Sequence, residues 1–313
     1  MHDRVVHGKA ATAPSRALPL AAVMIGNVAL AFGPWFVREA DTGPVAAAFW
    51  RIALATPVLL GAALMLGQRP IAQARGLWWV LGLSGLAFAA DLASWHVGIL
   101  QTTLANSTLF GNAATLIFPI YGFVIARSWP STRQGGALLI AAVGGALLLG
   151  RSAELSPEHL VGDLLCLLAG VLYALYFITM ARVRERMSAL SSLALSTLAS
   201  ALPLLGFAML LGERVLPGDW TAVVALAVVS QLIGQGMMIY AIGHLSPLVV
   251  GIALLIQPVV SATIGWIVYD ERLGAPDLLG AALVAIALVL VRERGPAPVQ
   301  LAPAEPEEQK EAR

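Results

Sequence analysis

Apolar runs of about twenty residues, separated by short polar stretches, recur along almost the whole chain. They fall near 18–37, 45–66, 77–98, 102–126, 134–150, 161–181, 188–211, 220–242, 246–269 and 275–291. The interruptions are "READTG", "GQRPIAQARG", "RSWPSTRQ", "RSAELSPEH", "RVRERM", "GERVLPGD" and "DERLGAPD". A hydrocarbon core ~30 Å thick is crossed by about 20 residues of α-helix. The pattern therefore predicts an all-α integral membrane protein with ten transmembrane helices. Its least marked boundaries lie near Gln101 and His244, where few polar residues stand between neighbouring runs.

Composition agrees with the pattern. Of 313 residues, 58% are hydrophobic and only 12% charged, and the mean hydropathy is +0.81. Soluble domains carry roughly 25% charged residues, so most of this chain is not built to face water. A net charge of +1 argues against a nucleic-acid partner, which calls for a basic face. The single cysteine, Cys166, excludes an intrachain disulfide. Arg4, Lys9 and Arg16 precede the first run, as in a secretory signal, but Leu18 to Val37 exceeds the ~7–15 residues of a signal core. It reads as a retained helix after a cytoplasmic segment, residues 1–17. The closing stretch 295–313, "GPAPVQLAPAEPEEQKEAR", holds almost no large apolar residue and is expected to be a disordered cytoplasmic tail.

Orientation follows from Lys and Arg in the short loops. A cytoplasmic N-terminus gathers Arg4, Lys9, Arg16, Arg69, Arg75, Arg127, Arg133, Arg182, Arg184, Arg186, Arg292 and Arg294 inside. Only Arg38, Arg151, Arg214 and Arg272 fall outside. An even number of helices returns the C-terminus to the cytoplasm, and the expected location is the plasma (bacterial inner) membrane.

The chain also resembles itself. An offset of 145 lays Gly98, Leu100, Leu109, Arg127, Gly135 and Leu138 on Gly243, Leu245, Leu254, Arg272, Gly280 and Leu283. It also sets Asn112 on Gln257, Tyr121 on Trp266 and Trp95 on Tyr240. Two five-helix repeats, 18–150 and 161–292, are expected. Five is odd, so the second crosses the membrane inverted, an arrangement that places transporter sites near the midplane between repeats.

This pattern resembles the EamA-type branch of the drug/metabolite transporter superfamily. The resemblance rests on the paired repeats and on "ILQTTLANSTLFGNAATLIFPIYGFVIA" and "HLSPLVVGIALLIQPVVSATIGWIVYDERL". The second block, with "IQPVV" and "YDERLG", is closer to the family. In the first, Ala113 stands where Pro258 aligns and "RSWPS" replaces the acidic loop. The resemblance implies export of amino acids, drugs or other metabolites, and is greatest to the aromatic amino-acid exporters.

Polar groups within a helix bundle are costly and tend to face its interior or a wet cavity. Asp91, Trp95 and Gly98 share one helical face, with Ala87 a turn earlier. Trp95 reads either as a stacking platform for substrate or as part of an interfacial aromatic belt. His96, ~100° around the helix, reads as belt, interface or site. Asn106 and Asn112 lie on different faces of the fourth helix, Asn112 with Thr108, Thr115 and Pro119. Interhelical hydrogen bonding alone would explain such side chains, but the matched positions of Asn112 and Gln257 favour a shared place at the pseudo-two-fold axis. Gln231 and Gln235 form an i, i+4 pair, Tyr173 and Tyr176 stack on an aromatic substrate or simply pack, and Tyr240 matches Trp95. Arg51 and Asp91 fall at similar depths on neighbouring helices, so a structural ion pair is expected, with snorkelling of Arg51 as the other reading. Pro34, Pro57, Pro119, Pro203 and Pro258 are expected to kink their helices.

No phosphate-binding GxxxxGK[ST] loop, HExxH or GxSxG is present, so no cofactor or metal is expected. The reading is a secondary transporter that exports a small metabolite, an amino acid first, by alternating access. Drugs, cationic metabolites or nucleotide-linked compounds are the alternative cargo, and a non-transporting scaffold or membrane enzyme is the alternative class. The partners expected are a small-molecule substrate and the bilayer, with the oligomeric state open.

Overall fold

A computed structural model describes residues 17–102, 104–150, 157–268 and 274–292. The N-terminal residues 1–16 and the 295–313 tail lie outside the described residues. In chain order the helical segments are α1 (Ala17–Ala31), α2 (Gly33–Glu39), α3 (Pro44–Met65), α4 (Pro70–Gln73), α5 (Trp78–Gly98), α6 (Leu104–Gly111), α7 (Ala114–Ile125), α8 (Thr132–Gly150), α9 (Leu160–Arg184) and α10 (Ala189–Leu210). After these come α11 (Thr221–Ala225), a π-helical segment π1 (Leu226–Gln235), α12 (Gly236–Ile242), α13 (Pro247–Ala253), α14 (Ile256–Val268) and α15 (Ala275–Arg292). The described residues form no strand. Six helices or consecutive helix groups are long and apolar enough to cross a membrane: Ala17–Glu39, Pro44–Met65, Trp78–Gly98, Leu160–Arg184, Ala189–Leu210 and Thr221–Ile242. Ala114–Ile125, Pro247–Ser261 and Leu278–Val291 are shorter apolar helices.

Large apolar side chains turn outward, among them Leu202, Leu210, Leu139 and Leu64, while the polar Asn27, Ser84, Gln231 and Gln235 are wholly buried. That is the reverse of a water-soluble bundle and suits a lipid surround. With lipid outside, helices gain from close approach rather than from hiding apolar area. The crossing of α7 and α13 shows how small residues allow it. A Cβ on Gly251 would stand 2.5 Å from Pro119 Cγ, and one on Gly122 would stand 2.8 Å from Pro247 Cβ. Each helix sets a proline ring into the other's glycine.

Two of the five prolines interrupt their helices where the missing N–H predicts, and Pro119 stays inside α7. Pro34 cannot donate to Leu30, and the first run breaks at Phe32 between α1 and α2. Pro258 cannot donate to Leu254, and the ninth run breaks at Leu254–Leu255, where Gln257 N reaches Leu254 O instead at 3.0 Å. The fourth run breaks at Asn112–Ala113 without a proline at the break. Pro57 and Pro203 are accommodated inside continuous helices.

Helix packing has a regular plan. α5 lies mainly along α9, and π1 with α12 lies mainly along α1; α3 packs on α10, and α8 on α15. Two staples join loops far apart in sequence. At the start of α3, Glu213 accepts from Val45 N (3.2 Å) and Ala46 N (2.8 Å). Nearby Thr42 donates to Arg214 O, and Asp41 accepts from Gly218 N and pairs with Arg214 at 3.4 Å. At the start of α10, Ser188 caps Ser191 N, and Gln68 accepts from Ser191 Oγ at 2.8 Å. Gln73 accepts from Ser188 N at 3.2 Å. Each staple supplies acceptors where a helix N-terminus leaves free N–H groups.

Candidate functional site

Irregular backbone gathers at one place. The α1/α2 break, the α6/α7 break, the α13/α14 break and π1 all contribute walls to a single cavity of ≈ 90 Å³. Leu30, Ala31, Gly33 and Pro34 come from the first of these, and Gly111, Asn112 and Ala114 from the second. Leu254 and Gln257 come from the third, and Gln235 from the π-helical segment. Broken and π-helical backbone inside a membrane protein is tolerated only where protein or a cavity surrounds it, and such segments are where transporter sites form.

Straight helices supply the charges. Arg51 lies seven residues in from the start of α3, and Asp91 seven residues back from the end of α5. Both therefore sit ~10 Å from a helix end, and both line the cavity. They are buried, at 4% and 7% exposure. The expected direct ion pair is absent: no nitrogen of Arg51 comes within salt-bridge distance of Asp91. Arg51 Nε donates instead to Gln231 Oε1 at 3.1 Å, and Gln231 Nε2 donates on to Thr197 Oγ1 at 3.1 Å. The guanidinium carbon stands 5.8 Å from the Phe88 ring centre, within cation–π range. Snorkelling is also excluded by this inward anchoring. The two charges stay within electrostatic reach of each other but separate.

Aromatic and amide groups complete the walls. Tyr173 donates to Gln235 Oε1 at 3.2 Å. Trp95 lies between Gly33 and Gly111, either of which would bring a Cβ to within 3.8 Å or less of its ring. Gln257 Nε2 donates to Asn27 Oδ1 at 2.8 Å, and Asn112 Nδ2 to its own helix at Thr108 O, 2.7 Å.

Of the residues singled out from sequence, Asp91, Trp95, Asn112, Tyr173, Gln235 and Gln257 meet at this cavity together with Arg51. Of the others, His96, Tyr176, Gln231 and Tyr240 do not line it. His96 is fully buried, and its Nδ1 lies 2.8 Å from Pro44 O, tying α5 to the start of α3. Gln231 stands behind Arg51. Tyr176 is buried in a stack, 4.4 Å from Phe88 and 6.1 Å from Tyr173. Tyr240 packs on His244 at 4.4 Å, away from the cavity. Gly98, expected beside Asp91, faces α9. The side chain of Asn106 lies outside the described residues. Sequence reasoning missed Asn27, Phe88, Ser107 and Ser261. Asn27 is a lone amide in an apolar run and Ser261 follows Gln257 by one helical turn, so both left a signal.

Residues 160–292 match the EamA-like transporter family. A protein of Archaeoglobus fulgidus described as an uncharacterized transporter is 23% identical over 253 residues, 78% of this chain and 84% of that one. The second part of the chain thus carries an EamA-like transporter domain. With helices long and apolar enough to cross a membrane, these matches indicate a multi-pass membrane transporter and not an enzyme. A solved crystal structure shares its fold, with a TM-score of 0.73 over 87% of this chain and 94% of that one, at 18% identity.

Proposed function

We propose that this transporter exports amino acids, aromatic ones among them, by alternating access at the cavity between two inverted five-helix repeats, 18–150 and 161–292. The observation that carries the reading is the convergence of three helix breaks and a π-helical segment on one cavity that holds an acid, a base and aromatic rings. Kinked and broken segments bend at low cost, and a site lined by them is exposed in turn to either side as the repeats rock.

Several features support the inverted repeat. Glu213 and Gln68 are 145 residues apart, the offset found from sequence. Glu213 accepts from backbone N–H groups at the N-terminus of α3 and Gln68 from the Ser191 hydroxyl at that of α10, so equivalent side chains reach the starts of equivalent helices across the two repeats. The packing of α5 on α9 has its counterpart in π1 and α12 on α1. The α3/α10 and α8/α15 pairs are each a helix with its own equivalent. The family match over 160–292 coincides with the second repeat. The arginine bias supports cytoplasmic termini in a bacterial inner membrane.

Counterflow in proteoliposomes tests the function. Folded protein loaded with unlabelled amino acid should accumulate labelled phenylalanine or another amino acid from the outside. Absence of exchange across the amino acids, with folded protein in the membrane, refutes the cargo. Exchange of cationic drugs or nucleotide-linked compounds in their place would assign the alternative.

A further inference from the structure

The hydrogen-bonding state of the cavity walls says what kind of group they await, on the reading that the cavity is the transport site. Arg51 spends only Nε on the protein. Its two terminal nitrogens have no partner among the described residues, and they form the fork that grips a carboxylate two-pronged. Gln231 fixes the approach, because its Nε2 is engaged by Thr197 and its oxygen is thereby turned to Arg51. Phe88 supports the guanidinium from its ring side.

Gln235 repeats this logic. Its oxygen is taken by the Tyr173 hydroxyl, so its remaining group is the donor Nε2, which is buried and has no hydrogen-bond partner. The Tyr176 hydroxyl is its neighbour, close enough to interact but outside hydrogen-bond geometry. A buried guanidinium whose terminal nitrogens have no partner among the described residues and a buried amide donor without one belong to residues on one cavity, and such donors are costly unless an acceptor joins them. Asp91, the one acid on the same wall, likewise has no hydrogen-bond or ion-pair partner among the described residues.

We propose that Arg51 and Gln235 form a carboxylate subsite, with Gln231 as the residue that positions Arg51, and that Asp91 receives the ammonium group of the same cargo. The two buried charges are kept apart so that a zwitterion bridges them. The site then selects cargo by its backbone charges, and the rings of Trp95 and Tyr173 meet its side chain.

Binding to the purified full-length transporter, read by ligand-induced thermal shift and checked by counterflow, compares L-phenylalanine and L-alanine with their amides, which keep the ammonium group and lack the carboxylate. The wild-type protein should favour each acid over its amide by about ten-fold or more, the margin of a hydrogen bond to a charged group. Arg51→Gln should bind acid and amide alike, and Gln235→Leu, which changes no charge, should reduce the preference in part. Wild-type protein that binds the amides as well as the acids, or a Gln235→Leu variant that keeps the full preference, overturns the subsite. Exchange of amides alone would do the same while leaving amine transport standing. No binding or exchange of any of the four compounds by folded protein overturns the amino-acid reading itself.

Discussion

The α7/α13 crossing gives the most exacting test of the packing, through Gly251→Ala. The new Cβ would meet Pro119 Cγ at 2.5 Å, Pro119 Cδ at 2.6 Å and Thr115 O at 3.0 Å. Carbon atoms pack best at ~3.5–4.0 Å, and neither a proline ring nor a backbone carbonyl can swing aside. The helices must therefore separate by about 1 Å to restore that spacing. Overpacking of this kind costs roughly 1–3 kcal/mol, and alanine returns ~0.5–1 kcal/mol as the better helix former. The net expectation is a loss of about 0–2.5 kcal/mol, centred near 1 kcal/mol. Gly61→Ala and Gly206→Ala serve as controls, since a Cβ at either site meets nothing within 4 Å; both should be neutral or slightly stabilising. Survival of the folded protein after a heat ramp in detergent, read by fluorescence-detected size exclusion, ranks the three. Gly251 is three residues from the break at Leu254, so the variant should also turn over more slowly per folded molecule. A Gly251→Ala protein as heat-stable as Gly61→Ala would mean that the crossing is looser than described and would refute the reasoning.

Other outcomes follow from the same geometry. Glu213→Ala removes the acceptor for two N–H groups at the start of α3 and should cost about 0.5–2 kcal/mol of stability, measurable by the same heat ramp; a neutral result would show that water caps the helix equally well. Gln231→Leu strands Arg51 Nε and should cost roughly 1–3 kcal/mol, whereas Gln231→Glu should leave the fold intact, and a harmless Gln231→Leu would sink the positioning role. Cysteines at Ser128 and Leu216, both exposed, should react with an impermeant maleimide from opposite sides of the membrane, Ser128 from the cytoplasm. Reaction of both from one side contradicts the inverted orientation.

The helical runs were legible because lipid sets their length and polar loops set their ends. The predicted 45–66 run is α3, Pro44–Met65, and the predicted 188–211 run is α10, Ala189–Leu210. What hydropathy could not show is continuity within a run, since an unwound turn in the bundle interior is as apolar as a helical one. Proline exposes some of these breaks and not others. Pro258 marks the Leu254–Leu255 break by its lost N–H, yet Pro57 and Pro203, of the same type, leave α3 and α10 whole. At the equivalent place in the first block, Ala113 replaces proline and the helix breaks regardless. There Gly170 of α9 presses close to the carbonyls of Phe110 and Gly111, where a Cβ would come within 2.8 Å. That break coincides with a tertiary contact, which no local pattern announces. The same holds for π1, whose widened turn leaves no mark in residue spacing.

The site was legible as a set of polar residues and not as a set of partnerships. Depth along the helices brings Arg51 and Asp91 to one level, and their opposite charge makes a salt bridge the natural inference. It fails because depth says nothing of rotation about the helix axis, nor of a third helix packed on the far side of one of them. π1 brings Gln231 against Arg51 from behind, and its amide oxygen competes for the guanidinium. A salt bridge between α3 and α5 would have neutralised both charges and left a site with no reason to bind a charged cargo. Anchoring Arg51 through Nε leaves the opposing charges unspent, and it is the amide at position 231, unremarkable in sequence beside the acid at 91, that keeps them so.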